Sequence, residues 1–195
     1  MIDLIFDTET TGFAQFNNPW EHPNQPHIVQ IAARLVENRK LYGEFQAIVN
    51  TGVASSEGAF KTHGITEEVR KKVGVSMLEA SRAFAMLLDK SDRLVAHNMK
   101  FDLILVGTMF HRSGLSPVQL IRRPKFCTML ALTPVMKLPG ARGGYKWPKL
   151  EEAYVKYIDA DGMKGAHDAM VDVIACEKIF EVCKEMDLVA EGGEL

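Results

Sequence analysis

Two acidic residues, Asp7 and Glu9, close the first apolar run of the chain, in the string IFDTETTG. If that run is a strand, both side chains leave the same face, about 6 to 7 Å apart along it. Like charges held so close repel, and one stays protonated unless a cation sits between them. A divalent metal is the economical reading, and solvation of a strand end is the alternative. Asp102 lies in FDLILV with Leu105, Val106 and Met109 at helical spacing beside it, and Asp172 has Cys176, Ile179 and Cys183 along its own stripe. A carboxylate on an apolar stripe must be protonated, paired or bound to metal, because burying an isolated one is costly. A structural salt bridge is the competing account of each. Together the four make an all-oxygen donor set suited to Mg²⁺ or Mn²⁺. Such sites commonly hold two metals about 3.5 to 4 Å apart, one activating water and the other stabilising the leaving oxygen of an in-line displacement at phosphorus. His167 precedes Asp172 by five residues. Histidine is the side chain best able to take a proton near neutral pH, which makes His167 the candidate base.

These residues need elements to position them. Residues 2–7 read as a strand with Ile2, Leu4 and Phe6 on one face and Asp3, Ile5 and Asp7 on the other. A Pro- and Asn-rich loop over 13–27, expected to be exposed, leads to a second strand near 28–36. A turn around Tyr42-Gly43 leads to a third strand over about 44–50, completing an antiparallel meander. Ser76-Met77-Leu78-Glu79 is a capping-box pattern that opens a helix to about Asp89. A short strand at 94–96, a helix over 99–112, a helix over 150–157 behind Pro148 and a last helix from about 168 to 186 follow. Residues 126–128 are the best candidate for a fifth strand. The expectation is one mixed α/β domain over 1–188 and a flexible tail over 189–195.

The 195 residues, 47% hydrophobic and 25% charged, suffice for a soluble domain and exclude a disordered or collagen-like chain. Cys127, Cys176 and Cys183 form no CxxC pair, so they indicate small buried residues rather than a disulfide framework or thiolate zinc site. The first residues have no basic leader, and no apolar run nears the roughly 20 residues that span a bilayer. A cytoplasmic protein without a membrane partner is expected. The formal net charge of -2 hides an uneven distribution, because residues 103–150 hold no acidic residue. That stretch carries eight basic ones: Arg112, Arg122, Arg123, Lys125, Lys137, Arg142, Lys146 and Lys149. A local basic block is the footprint expected of a polyphosphate path, with Arg122, Arg123 and Lys146 as candidate phosphate contacts. The string GARGGYKW at 140–147 suits stacking on single-stranded bases, a solvated loop over Trp147 being the alternative.

Three motifs in order, FDTETTG at 6–12, HNMKFD at 97–102 and HDAMVD at 167–172, resemble those of the DEDDh exonucleases. That family includes the proofreading subunit of bacterial replicases, ribonuclease T and the oligoribonucleases. HGIT at 63–66 resembles the segment between the first two motifs, and the resemblance spans about 1–186. It implies a ribonuclease-H-like α/β fold with a mixed five-stranded sheet flanked by helices. It implies two Mg²⁺ or Mn²⁺ on Asp7, Glu9, Asp102 and Asp172, and His167 as general base. The implied reaction releases 5′-mononucleotides from the 3′ end of single-stranded DNA or RNA, DNA ahead of RNA. Thr10, Ile65, His97, Asn98 and Phe101 would line the terminal nucleotide, and a polymerase or repair protein is a candidate partner. The 13–27 loop, with Trp20 and three prolines, is longer than in compact members. Two other classes compete: a noncatalytic nucleic-acid-binding module on the same fold, and a phosphatase of the haloacid-dehalogenase type. The latter normally wants Asp-x-Asp, which Asp7-Thr8-Glu9 and HDAMVD fit poorly.

Overall fold

The computed structural model describes residues 1–141 and 143–189. Strand β1, Asp3–Thr10, runs past the expected end at Asp7 and so carries Glu9 as well. Its side chains alternate between two cores, Leu4 and Phe6 sinking into one and Ile5 into the other. Strand β2, Ile28–Glu37, lies antiparallel on one side of it, and β3, Lys40–Ile48, lies antiparallel to β2. Asn38 and Arg39, with φ of 50° and 64°, form the two-residue turn between them. Two consecutive positive φ values match the twist of a tight hairpin, and Asn adopts them at low cost. The reversal expected at Tyr42-Gly43 is instead a bulge in β3, between the pairs Leu35↔Gly43 and Val36↔Leu41. Glycine marks either feature, and here it relieves a bulge.

On the other side of β1 lie β4, Arg93–Ala96, and β5, Lys125–Cys127, each parallel to its neighbour. The sheet is therefore mixed and five-stranded, in the order β3-β2-β1-β4-β5. Helices α1 (Glu57–His63) and α2 (Glu67–Val73) precede α3, Met77–Lys90, whose Ser76–Glu79 capping box is formed. After β4 come α4 (Met99–Arg112) and α5 (Val118–Arg122), and after β5 come α6 (Thr128–Met136), α7 (Leu150–Tyr157) and α8 (Ala169–Glu185). Helices α1, α2, α5 and α6 have no counterpart in the sequence reading. The first three are too short to show a helical period, and α6 is nearly all apolar with Pro134 inside it.

Helices α3 and α4 cover one face of the sheet, where Phe84 stands edge-on to Phe6 at 5.3 Å and to Phe110 at 6.0 Å. Helix α8 covers the other, packing Val173, Cys176 and Phe180 on Ile5, Ala32 and Val95. Removing the Phe84 ring would cost about 3 to 5 kcal/mol. All three cysteines are buried and free. No helix among the described residues is long and apolar enough to cross a membrane. Leu188 and Val189 pack against the core, so the described start of the expected tail is held in place; residues 190–195 lie outside the described residues.

The 13–27 segment is strapped across α4 rather than standing free. Trp20 lies over Gly107, where a β-carbon would fall 2.1 Å from the indole. Thr108 Oγ1 donates to the Trp20 carbonyl at 3.0 Å, and Arg112 donates to the carbonyls of Pro23, Gln25 and Pro26. The buried Gln25 amide donates to the carbonyls of Gln15, Asn18 and Pro19 and accepts from the Gln15 N–H. These bonds satisfy backbone groups that a long loop would otherwise leave to water.

Candidate active site

The β1–β4 ladder ends at Ile5↔Val95, so the second half of β1 keeps β2 on one side and opens on the other. A cavity of ≈ 390 Å³ occupies that notch beyond the carboxyl ends of β1 and β4. Open α/β sheets bind ligands in such crevices. Asp7 and Glu9 enter it from the strand, with a bulge between Glu9 and Thr10 bending the chain away. Asp102 arrives from the opposite layer, in the first turn of α4, and is 2% exposed. Thr8, out of phase with its two acidic neighbours, faces that layer, and its Oγ1 donates to Asp102 Oδ1 at 2.7 Å.

Asp172 comes from the first turn of α8. The chain enters this helix through His167, whose φ of 70° is strained for a residue with a β-carbon. Its backbone N–H donates to Asp172 Oδ2 at 3.2 Å, and its side chain faces the cavity. Asp168 caps α8 by accepting from Met170 N and Val171 N. It also accepts from Gln30 Nε2 at 3.1 Å and Gln46 Nε2 at 3.0 Å, while Gln30 Oε1 accepts from Ala169 N at 3.2 Å. Two glutamines from β2 and β3 thus fix the start of α8 against the sheet. Sequence reasoning missed Thr8, Asp168, Gln30 and Gln46. The available signal was Gln30, a polar residue inside the apolar run IVQIAARLV and 4% exposed.

Ligand atoms of Glu9, His167 and Asp172 all lie within 4.8 Å of one another. Burial pushes the Asp7 carboxyl well above its usual range, and the charges of Asp102, Asp172 and Glu9 push it the same way. Burial and the charges of Asp172 and Asp102 raise Glu9 to about 8. Burial raises Asp102 to about 7 against the opposing pull of the Thr8 hydrogen bonds. Asp172 is raised by burial too, with the His167 N–H opposing. No ion pair among the described residues reaches any of the four. Converging oxygen donors with unneutralised charge fit a hard divalent cation.

Thr10, His97, Asn98 and Phe101 also line the cavity. The Thr10 hydroxyl donates to Gly12 O at 2.6 Å, and Asn98 holds a left-handed φ of 81° at the start of α4. His97 is engaged at both ring nitrogens, with Thr128 Oγ1 at 2.8 Å and Pro148 O at 3.0 Å. Burial depresses its pKa to about 4, so the neutral ring donates through Nε2 to the Pro148 carbonyl and accepts at Nδ1. His97 thereby ties β4 to α6 and to the start of α7. Ile65 does not line the cavity; its N–H donates to Nδ1 of His63, which does.

The structure does not bring the basic block to this cavity as a continuous path. Arg122 and Arg123 precede β5 at the end of the sheet level with Asp3, since Lys125 pairs with Leu94 and Asp3 with Arg93. Arg123 donates to the Leu88 and Asp89 carbonyls at the end of α3, and Lys125 to those of Ile121 and Arg123. Lys146 pairs with Glu152, Arg112 holds the strap, and Arg142 lies outside the described residues. Charge contiguous in sequence is divided because Arg112, Arg123 and Lys125 donate to backbone carbonyls and Lys146 pairs with a carboxylate.

The profile of the family described as Exonuclease matches residues 4–180. The PolC-type DNA polymerase III of Caldanaerobacter subterraneus subsp. tengcongensis is 28% identical over 113 residues, which are 58% of this chain and 7% of that protein. The corresponding protein of Lactococcus lactis is 30% identical over 112 residues, 57% of this chain and 6% of its own. The chain thus spans under a tenth of these relatives. E. coli Exonuclease I bound to a dT13 oligonucleotide superposes with a TM-score of 0.74 at 20% identity, over 94% of this chain and 41% of that one. Exonuclease I of Methylocaldum szegediense gives a TM-score of 0.74 at 18% identity, over 94% and 40%. Both share the fold. With the profile running through the strand, cavity and helices just described, the chain belongs to the exonuclease family.

Proposed function

We propose that this chain is a divalent-metal-dependent 3′→5′ exonuclease acting on single-stranded nucleic acid, DNA ahead of RNA, and releasing 5′-mononucleotides. The observation that carries the reading is the convergence of Asp7, Glu9, Asp102 and Asp172, without a cation partner among the described residues, on one cavity that also holds His167. The four carboxylates would hold two Mg²⁺ or Mn²⁺, Asp7 and Glu9 from a rigid strand and Asp102 and Asp172 from two helix starts. Bound there, the cations would supply neutralisation of phosphate charge and Lewis-acid polarisation. Thr8 and the His167 N–H orient Asp102 and Asp172 through the hydrogen bonds described. His167, at the open side of the cluster, accepts the proton of the attacking water through its imidazole. Phe101 and Asn98 border the terminal nucleoside.

A single-stranded substrate is supported by the oligonucleotide bound in the E. coli Exonuclease I structure. Association with a polymerase is supported by the PolC-type relatives, in which the matched stretch is a small part of a much longer chain. A reducing cytoplasm suits the three free cysteines. The test is a time course on 5′-labelled single-stranded DNA and RNA with Mg²⁺ or Mn²⁺. Shortening one nucleotide at a time, abolished by chelator and by His167→Ala or Asp7→Ala, is expected. No shortening of either polymer leaves a noncatalytic binding module and overturns the reading.

A further inference from the structure

Resting on the exonuclease reading, we propose that the strap over α4 builds a second nucleotide subsite, where Phe16 packs the base and Lys100 pairs the phosphate of the nucleotide next to the terminal one. The cavity volume of ≈ 390 Å³ is near the small end of ligand pockets, about 300 to 1,000 Å³. With the terminal nucleotide in it, the next one lies on the surface at its mouth. At that mouth the aromatic lining continues outward. The ring of Phe101, inside, stands 6.4 Å from the ring of Phe16 at an interplanar angle of 55°. Lys100 Nζ hangs 5.2 Å from the centre of the Phe16 ring and takes part in no ion pair among the described residues. An aromatic ring with an ammonium over it, the ammonium having no carboxylate partner among the described residues, suits a single strand without regard to sequence, the ring taking a base and the ammonium a phosphate.

Phe16 is 46% exposed, so its own burial does not explain its position. The strap explains it. Gln15 next to it exchanges hydrogen bonds with Gln25, Asn18 Nδ2 donates to Gln15 Oε1 at 2.7 Å, and Trp20 and Arg112 lock the far half onto α4. A ring held out in water by neighbours that are themselves bonded is preorganised, and little freedom is lost when a base packs on it.

The experiment compares full-length parent, Phe16→Ala, Phe16→Tyr and Lys100→Ala on two substrates. The p-nitrophenyl ester of thymidine 5′-monophosphate fills the cavity alone, whereas a single-stranded oligonucleotide also reaches the mouth. Phe16→Ala should raise KM for the oligonucleotide about tenfold, the low end of one base stack, with kcat and ester cleavage unchanged. Phe16→Tyr keeps the ring and should restore the parental KM. Lys100→Ala should lower the slope of log affinity against log salt by about 0.7, one phosphate contact on a single strand. An unchanged oligonucleotide KM in Phe16→Ala overturns the subsite. Equal losses on both substrates overturn it too, by making Phe16 a support of the cavity. A parent inert on both substrates overturns the exonuclease reading itself, and the two failures are thereby told apart.

Discussion

Strand β1 carries buried carboxylates at both ends of the face it turns to α8, and the two ends are treated oppositely. Asp3 is 1% exposed, yet Arg93 Nε lies 2.7 Å from it and Lys184 Nζ 3.3 Å, both cations stacked on Phe180 at 5.0 and 4.3 Å. Asp7 and Glu9, further along the same strand, face the charges of Asp102 and Asp172 and take part in no ion pair among the described residues. Helix α8 serves both ends, with Lys184 in its last turn and Asp172 in its first. That placement agrees with the helix dipole at the lysine and gains its support at Asp172 from backbone N–H groups. Burial of an acid is thus no mark of function. What separates the ends is whether the fold supplies the cation or leaves the place for one from solution.

The contrast is broken or upheld most directly by Asp7→Asn against Asp3→Asn. Asp7→Asn should lower kcat by more than about a thousandfold while stability holds or rises. Asp3→Asn should leave kcat intact and cost about 3 to 5 kcal/mol in urea unfolding, since Arg93 would be left buried without its partner. Equal destabilisation by the two changes would erase the distinction. Next in size, Thr8→Val removes the hydroxyl that orients Asp102 with little change in volume, and a loss of about 10- to 100-fold in kcat or metal affinity is expected. An unaltered metal titration would show that Asp102 needs no orienting.

Stability against pH should differ as well. In metal-free protein the folded state keeps protons on Glu9 up to about 8, whereas the unfolded chain releases them near 4.5. The folded state therefore binds more protons across that window, and its stability falls as pH rises through it. Saturating Mg²⁺ should raise Tm by several degrees at pH 8 and hardly at pH 4.5, and Glu9→Gln should flatten the slope. A Tm that Mg²⁺ moves equally at both pH values would sink this account. The smallest effect is expected of Arg122→Ala, at the Asp3 end of the sheet, which should leave the salt dependence of oligonucleotide affinity unchanged. A shallower slope would bring the strand across that end.

Much of this was legible in the residues. The alternation in residues 2–7, the capping box at Ser76 and the stripes through Asp102 and Asp172 placed four carboxylates on elements that the structure draws to one cavity. Helix 99–112 fell where the apolar stripe beside Asp102 put it, and helix 150–157 where Pro148 announced it. What stayed hidden depends on pairing between distant segments. Gln30 and Gln46 matter because β2 and β3 carry them beneath the N-terminus of α8, and nothing in their neighbourhoods announces a helix cap 138 and 122 residues later. The basic block shows the reverse: a run of cations in sequence says nothing about which carbonyls will claim them, and Arg112, Arg123 and Lys125 donate to carbonyls. His97 came with the family resemblance and does line the cavity, but its bonds to Thr128 and Pro148 join segments that are distant in sequence.

The seat of Trp20 on Gly107 has an optical consequence. The chain holds two tryptophans, and the other, Trp147, is 64% exposed. One indole rests against a helix backbone and the other stands in water, so the emission of Trp20 should lie to the blue of that of Trp147. With Trp147→Phe, the colour of the remaining fluorescence becomes a built-in gauge of whether the strap is seated, readable while an oligonucleotide is added and without any label.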